Sequence, residues 1–157
     1  TYSHLFAISE SREPQINQYV KMYFSLADLD LITVVEDGNK DNQLVGLAIT
    51  IPSLTRALQK CHRGRLFPFG WWHLLRAIKF HKTEVVDLLL IGVLPEYRSK
   101  GANSLVFADL IPRYVKYGFK WGETHVEMET NESVQSQWGP LDPTMHKKRR
   151  CYRKAIG

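Results

Sequence analysis

The chain has 157 residues, of which 44% are hydrophobic and 24% charged, proportions that suit one soluble domain, 1–157, with a core of its own. No apolar stretch reaches the ~18 residues of a membrane-spanning helix and no signal peptide is visible, so no transmembrane helix is expected and the cytoplasm is the expected compartment. The net charge of +5 favours anionic partners without choosing among them.

Residues 4–9 fit a short first strand. Ser11 is a plausible N-cap, Pro14 falls in a first turn, and Ile16, Tyr19, Val20, Tyr23, Phe24 and Ala27 recur at helical spacing, giving a helix over 12–27. Leu31–Glu36 and Leu44–Ile51 are two antiparallel strands joined by the turn-forming run 37–43. Between 53 and 82, Ser53 caps a short helix ending near Cys61, 62–65 form a loop, and a second helix ends near His81. Leu66, Phe67, Phe69, Trp71 and Trp72 are unusually aromatic for a connector. They form either a satellite core or a wall of a substrate pocket, with Trp71 the candidate contact.

Val85–Leu94 is a nearly continuous apolar run, the pattern of a strand buried on both faces. Gly92 within it is the expected site of a bulge. A helix over 104–117 follows, with Phe107, Leu110, Ile111, Tyr114 and Val115 on its apolar face, a kink expected at Pro112 and a stop at Gly118. His125, Glu127 and Glu129 alternate with Val126 and Met128, predicting a strand over Glu123–Thr130. A short helix from Asn131 gives way at Gly139-Pro140, and Cys151–Ile156 is the expected terminal strand. The crossover over 85–130 makes two strands parallel. The fold class is α/β (α+β), a mixed, mostly antiparallel sheet with helices on both faces.

The chemistry concentrates where the apolar strand ends. Val93-Leu-Pro is followed by Arg98-Ser-Lys-Gly101-Ala-Asn103-Ser104 and then a helix. A strand, a basic glycine-containing loop and a helix N-terminus aim backbone N–H groups at one point, where a phosphate can sit. Neither G-x-G-x-x-G nor G-x-x-x-x-G-K-[ST] is present. Arg98-x-x-Gly101-x-Asn103 after that strand resembles the acyl-CoA-binding motif of the GNAT superfamily of N-acyltransferases. The following helix, the strand over 123–130 and Asn131 extend the likeness over roughly 50 residues.

The resemblance implies a GNAT-like fold and an N-acyltransferase, using acetyl-CoA or another acyl-CoA as co-substrate and an unidentified amine as acceptor. In it, the amides of Arg98, Ser99, Lys100, Gly101, Ala102, Asn103 and Ser104 grip the CoA diphosphate. The Ile91 N–H polarises the thioester carbonyl, and Val93 pairs with the pantetheine arm. Asp87 stands where histone-acetyltransferase relatives carry a glutamate general base. An acid inside Val-Val-Asp-Leu-Leu-Leu is costly to bury unless paired or protonated, which raises its pKa in the direction a base needs. Asn131 is a candidate cofactor contact and Glu129 a candidate acceptor contact. The run Asn131-Glu-Ser-Val-Gln-Ser-Gln-Trp138 places a tryptophan where relatives carry an acid tyrosine, and indole is no acid at neutral pH.

The histidines lack metal-ligand spacing, Cys61 and Cys151 fit free thiols, and no G-x-S-x-G or Cys–His signature supports covalent catalysis. The run His146-Lys-Lys-Arg-Arg150 suits a solvated surface better than nucleic-acid binding. The competing reading is a GNAT-fold CoA-binding or structural half-domain with little catalysis. A chain opening on Thr1 is compatible with the C-terminal part of a longer protein, with a missing N-terminal domain or a homo-oligomer.

Overall fold

Four strands pair in chain order: β1 (Ile32–Asp37), β2 (Gln43–Pro52), β3 (Val85–Val93) and β4 (Trp121–Thr124). The β1–β2 and β2–β3 ladders are antiparallel and β3–β4 is parallel, the mixed sheet that the pattern predicts. The computed structural model describes residues 13–26 and 28–154. The expected strand at 4–9, the cap at Ser11 and the helix position at Ala27 lie outside them. The hairpin closes as its turn formers require: the Asp37 carboxylate accepts the Asn39 N–H at 3.0 Å. Asp41 and Asn42 take φ of 51° and 55°, a left-handed conformation that short polar side chains tolerate.

The helices are α1 (Glu13–Leu26), α2 (Thr55–Gln59), α3 (Gly70–Lys79), α4 (Pro95–Arg98), α5 (Ala102–Tyr117) and α6 (Glu132–Gln135). Helix α5 fills one face of the sheet. Ala102, Val106 and Leu110, spaced by four, are its buried ridge, with Val106 and Leu110 closing on Ala48. Ile111 and Val115 of the expected apolar face are exposed instead. Asp109 ties the helix to β1: it accepts from the buried Thr33 hydroxyl at 2.5 Å and from Arg113 at 2.7 Å.

Among the described residues the buried Tyr114 hydroxyl has no partner at hydrogen-bonding geometry, with Thr50 its polar neighbour. Burial pushes its phenol up to about 12, softened by the neighbouring Thr50, whose own hydroxyl donates to the Leu31 carbonyl at 2.8 Å. Deleting an unsatisfied buried group removes its desolvation cost. Tyr114→Phe is therefore expected to leave stability unchanged or to raise it by up to ~1 kcal/mol in urea unfolding. A loss of that size would show the hydroxyl to be bonded.

Glycine is required where α3 meets the preceding turn. A Cβ on Gly70 would lie 2.3 Å from the Arg65 carbonyl oxygen and 3.1 Å from Cys61 Sγ. Because the first obstacle is backbone, Gly70→Ala is expected to cost about 1–3 kcal/mol of stability, read as a lower urea midpoint.

Five expectations are corrected. The bulge in β3 lies at Leu89, not Gly92: Leu88 pairs with Thr50 and Leu90 with Ile49, while Gly92 stays in register with Leu47. The strand over 123–130 is only Trp121–Thr124. Its alternation needed a neighbour to bury Val126 and Met128, yet these are 69% and 42% exposed. Residues 151–154 of the expected terminal strand are irregular, and the rest lies outside the described residues. Helix α5 runs unbroken through Pro112; Ala108 and Pro112 are exposed, so water can take the freed carbonyl. The aromatic connector is no satellite core, since all five of its large apolar residues are exposed.

The described chain divides into two compact units after His125. The sheet and the strand–loop–helix segment belong to the first.

Candidate active site

The bulge at Leu89 decides which way β3 presents its peptide groups. Leu94 N–H donates to the Val45 carbonyl at 2.9 Å, and Ser53 N–H to the Val85 carbonyl at 2.9 Å. In an antiparallel ladder these bonds alternate. Val85 and Asp87 therefore face β2 on one side of the bulge, and Leu90, Gly92 and Leu94 on the other. The extra residue switches parity, so Val86, Leu88, Ile91 and Val93 all address the opposite edge. Strand β4 covers that edge only as far as Leu88, paired with Thr124. From Leu89 to Val93 the edge continues past its neighbour.

Ile91 already makes a polar interaction within the protein. The Val93 carbonyl accepts Arg98 Nε at 3.3 Å, which folds the guanidinium back onto the end of this edge. Val93, Arg98 and the loop are thus brought together. The Val93 N–H meets no acceptor on β2, since it is directed to the opposite edge.

After Val93 the chain makes one helical turn, α4, with Pro95 at its first position, where the missing N–H costs nothing. Gly101 then takes φ 81° and ψ 11° and starts α5 without any side-chain cap. Its carbonyl accepts the Leu105 N–H at 3.1 Å. Among the described residues no acceptor meets the N–H groups of Ala102, Asn103 or Ser104, the first three of a sixteen-residue helix. Those donors, with the positive end of the helix, are the groups that an anion at this point would meet. Ala102 is buried, Asn103 half-buried, and Ser99, Lys100 and Ser104 are exposed.

Tyr97 anchors this loop, a role that the sequence reading missed. Its ring is buried with Val45, Val93 and Ala102, and its hydroxyl donates to Asp37 Oδ2 at 2.7 Å, across to the β1–β2 turn. That bond, then the Asn39 N–H, holds the Asp37 carboxyl below its ordinary range. Lys100 Nζ lies 4.7 Å and Lys40 Nζ 5.3 Å from the Tyr97 ring centre, cation–π distances. Lys100 is therefore laid back on Tyr97, while its backbone N–H closes the turn on the Tyr97 carbonyl at 3.1 Å. The only hint in the sequence was an aromatic residue inside an otherwise polar Pro-Glu-Tyr-Arg turn.

Asp87 pairs with Ile51 in β3. It is half-buried rather than enclosed, and it has a partner within the protein. Val86, Ile91 and Val93 pack into the α5 side of the core, so alternation puts Asp87 on the other face of the sheet. Four residues separate Asp87 from Ile91, at most ~13 Å of strand. Trp71 is 46% exposed; its indole N–H donates to the Pro68 carbonyl at 2.9 Å, and its ring meets Trp72 edge-on at 5.8 Å.

Glu129 and Asn131 belong to the second unit. Glu129 is exposed and ion-paired with Lys148. Asn131 is half-buried and precedes α6 without capping it through its side chain. Trp138 donates its indole N–H to Glu127 at 2.9 Å. Among the described residues no cluster of His, Cys, Asp and Glu could hold a metal, and no helix is long and apolar enough to cross a membrane.

No protein-family model matches the chain, and no curated protein matches it. Solved structures do. An aminoglycoside N-acetyltransferase, AAC(6')-Iy, in complex with a CoA bisubstrate analog, aligns with 92% of this chain and 82% of its own at a TM-score of 0.54 and 16% identity. The aminoglycoside antibiotic 6'-N-acetyltransferase AAC(6')-Ih from Acinetobacter baumannii aligns with 94% of this chain and 84% of its own, at 0.54 and 17%. AAC(6')-IG from Acinetobacter haemolyticus aligns with 99% and 88%, at 0.53 and 15%. The chain has the fold of these enzymes, the α/β fold that the motif resemblance implied.

Proposed function

We propose that the chain is an N-acyltransferase that moves an acyl group from acetyl-CoA, or a longer acyl-CoA, to an amine. The observation that carries this reading is the run of uncapped amides at Ala102–Ser104, set at the end of a strand whose edge outlasts its neighbour. The diphosphate would bind those amides, with Gly101 keeping the turn left-handed. Arg98 and Lys100 would add positive charge, and the pantetheine arm would lie along the edge and pair with the Val93 N–H. The Ile91 N–H, directed to the same edge, is the candidate to polarise the thioester carbonyl. The likeness to structures holding CoA or a CoA analog supports the choice of co-substrate.

In the reaction the amine nitrogen attacks the thioester carbon, the C–S bond breaks, and the leaving thiolate takes a proton from water. The proton lost by the amine goes to Asp87. The strand separation requires the amine, or a water, to sit between Asp87 and the acyl carbon. Attack is direct, with no acyl-enzyme. Glu129 remains the proposed acceptor contact, Asn131 a proposed cofactor contact and Trp71 a proposed acceptor-side residue, all in a protein working in the cytoplasm. The second reading, a CoA-binding module with little turnover, draws on Trp138, whose N–H is committed to Glu127.

Thiol release from acetyl-CoA and longer acyl-CoAs, measured across a panel of amines, separates the two. Amine-dependent release is expected. Binding of the CoA ester without any amine accelerating release above hydrolysis would leave only the module.

A further inference from the structure

The positive charge of this chain lies mainly in two stretches, residues 53–83 and the tail 147–154 with its six Lys and Arg. Residues 53–83 contain seven Lys and Arg and no Asp or Glu, while the remaining positions hold 14 basic and 16 acidic residues. The same segment carries the exposed aromatic cluster. Every residue from His62 to Phe69 is exposed, with Phe67 at 77% and Phe69 at 73%.

This is a built protrusion. Cys61 is buried beneath it, with Sγ 3.4 Å from the Ala57 carbonyl and 3.7 Å from that of Gly70. Trp71 N–H donates to the Leu66 carbonyl at 2.8 Å, and Trp72 N–H to that of Phe69 at 3.1 Å. In α3, Gly70 and Ala77 are buried one above the other on the inner side. On the opposite side, helical spacing aligns Trp72, Arg76, Lys79 and Phe80, all exposed. Apolar rings at a fixed tip, with Arg63 and Arg65 beside them and a basic–aromatic helix face behind, match the interface of a bilayer. There rings enter the headgroup boundary and cations meet phosphates. Beneath this face lies a cavity of about 350 Å³ lined by Arg56, Lys60, Arg76 and Lys82 against the single carboxylate of Glu84. Glu84 is itself held by Lys120 at 2.5 Å.

We propose that this segment docks the protein on an anionic lipid surface. The charge argues against a second copy as occupant, because a two-fold contact would set these bases against themselves. The inference is independent of the acyl-transfer reading.

Co-sedimentation of the full chain with vesicles tests it, comparing phosphatidylcholine alone with phosphatidylcholine containing one-third phosphatidylglycerol. Partitioning onto the anionic vesicles should be at least about tenfold stronger, and should fall about tenfold or more when salt rises from about 0.1 M to about 1 M. The surface variants F67S/F69S and R63E/R65E should each lose about tenfold while keeping their urea midpoints. Equal partitioning onto neutral vesicles, no partitioning onto either, or wild-type partitioning by both variants overturns the proposal. So does a concentration-dependent dimer that F67S/F69S abolishes, or tighter binding to RNA or to an acidic protein than to the anionic vesicles.

Discussion

Replacing Gly101 by glutamate is expected to weaken acetyl-CoA binding by at least about 100-fold in a calorimetric titration. Two effects act together, and a series at this position separates them. Gly101 sits at φ 81°, where a Cβ costs roughly 1–2 kcal/mol in an L-residue; space is not the obstacle, since a Cβ there would meet nothing within 4 Å. Gly101→Ala should therefore show the strain alone, and Gly101→Asn still less, because asparagine visits this conformation most readily. The glutamate adds a carboxylate beside the proposed diphosphate, and like charges ~4 Å apart near a protein surface repel by about 4 kcal/mol, enough for the stated loss. Equal affinities across the series would remove the loop from the binding site.

Asp87→Asn is expected to lower kcat at neutral pH by about 100-fold or more, the range that one positioned base contributes, while acetyl-CoA affinity stays within about threefold. The pH profile distinguishes a base from a strut. With Asp87 present, turnover should level off once its carboxyl is ionised. Without it, turnover should climb with pH as the amine loses its proton to solvent, so the two profiles converge at high pH. Since Asp87 also has a partner within the protein, some stability will be lost, and a parallel urea titration measures it. A variant with normal turnover, or one whose deficit is the same at every pH, would refute the assigned role.

Local pattern made the hairpin, β3 and α5 legible, because turn chemistry and periodicity are written in neighbouring residues. The uncapped start of α5 was legible for the same reason: Pro95, Gly101 and the helix after them lie within one short stretch. What escaped depends on distant partners. The parity switch at Leu89 exists only in register with Ile49 and Thr50, whereas a glycine three residues on looked the better bulge. Tyr97 gains its role from Asp37, 60 positions away. The alternation after Thr124 was real, yet among the described residues no neighbour buries Val126 or Met128, and the buried side of α5 is the ridge of Ala102, Val106 and Leu110 rather than Ile111 and Val115. The aromatic connector is not a core; its exposure became informative only beside the charge around it.

The most direct measurement is a titration of the uniformly ¹⁵N-labelled chain with acetyl-CoA, followed amide by amide. The N–H signals of Ala102, Asn103, Ser104 and Val93 should move furthest and saturate together, those at the helix start shifting downfield as they take up a phosphate oxygen. Saturation that leaves these four still while other amides move, or no movement at any concentration, would contradict the site.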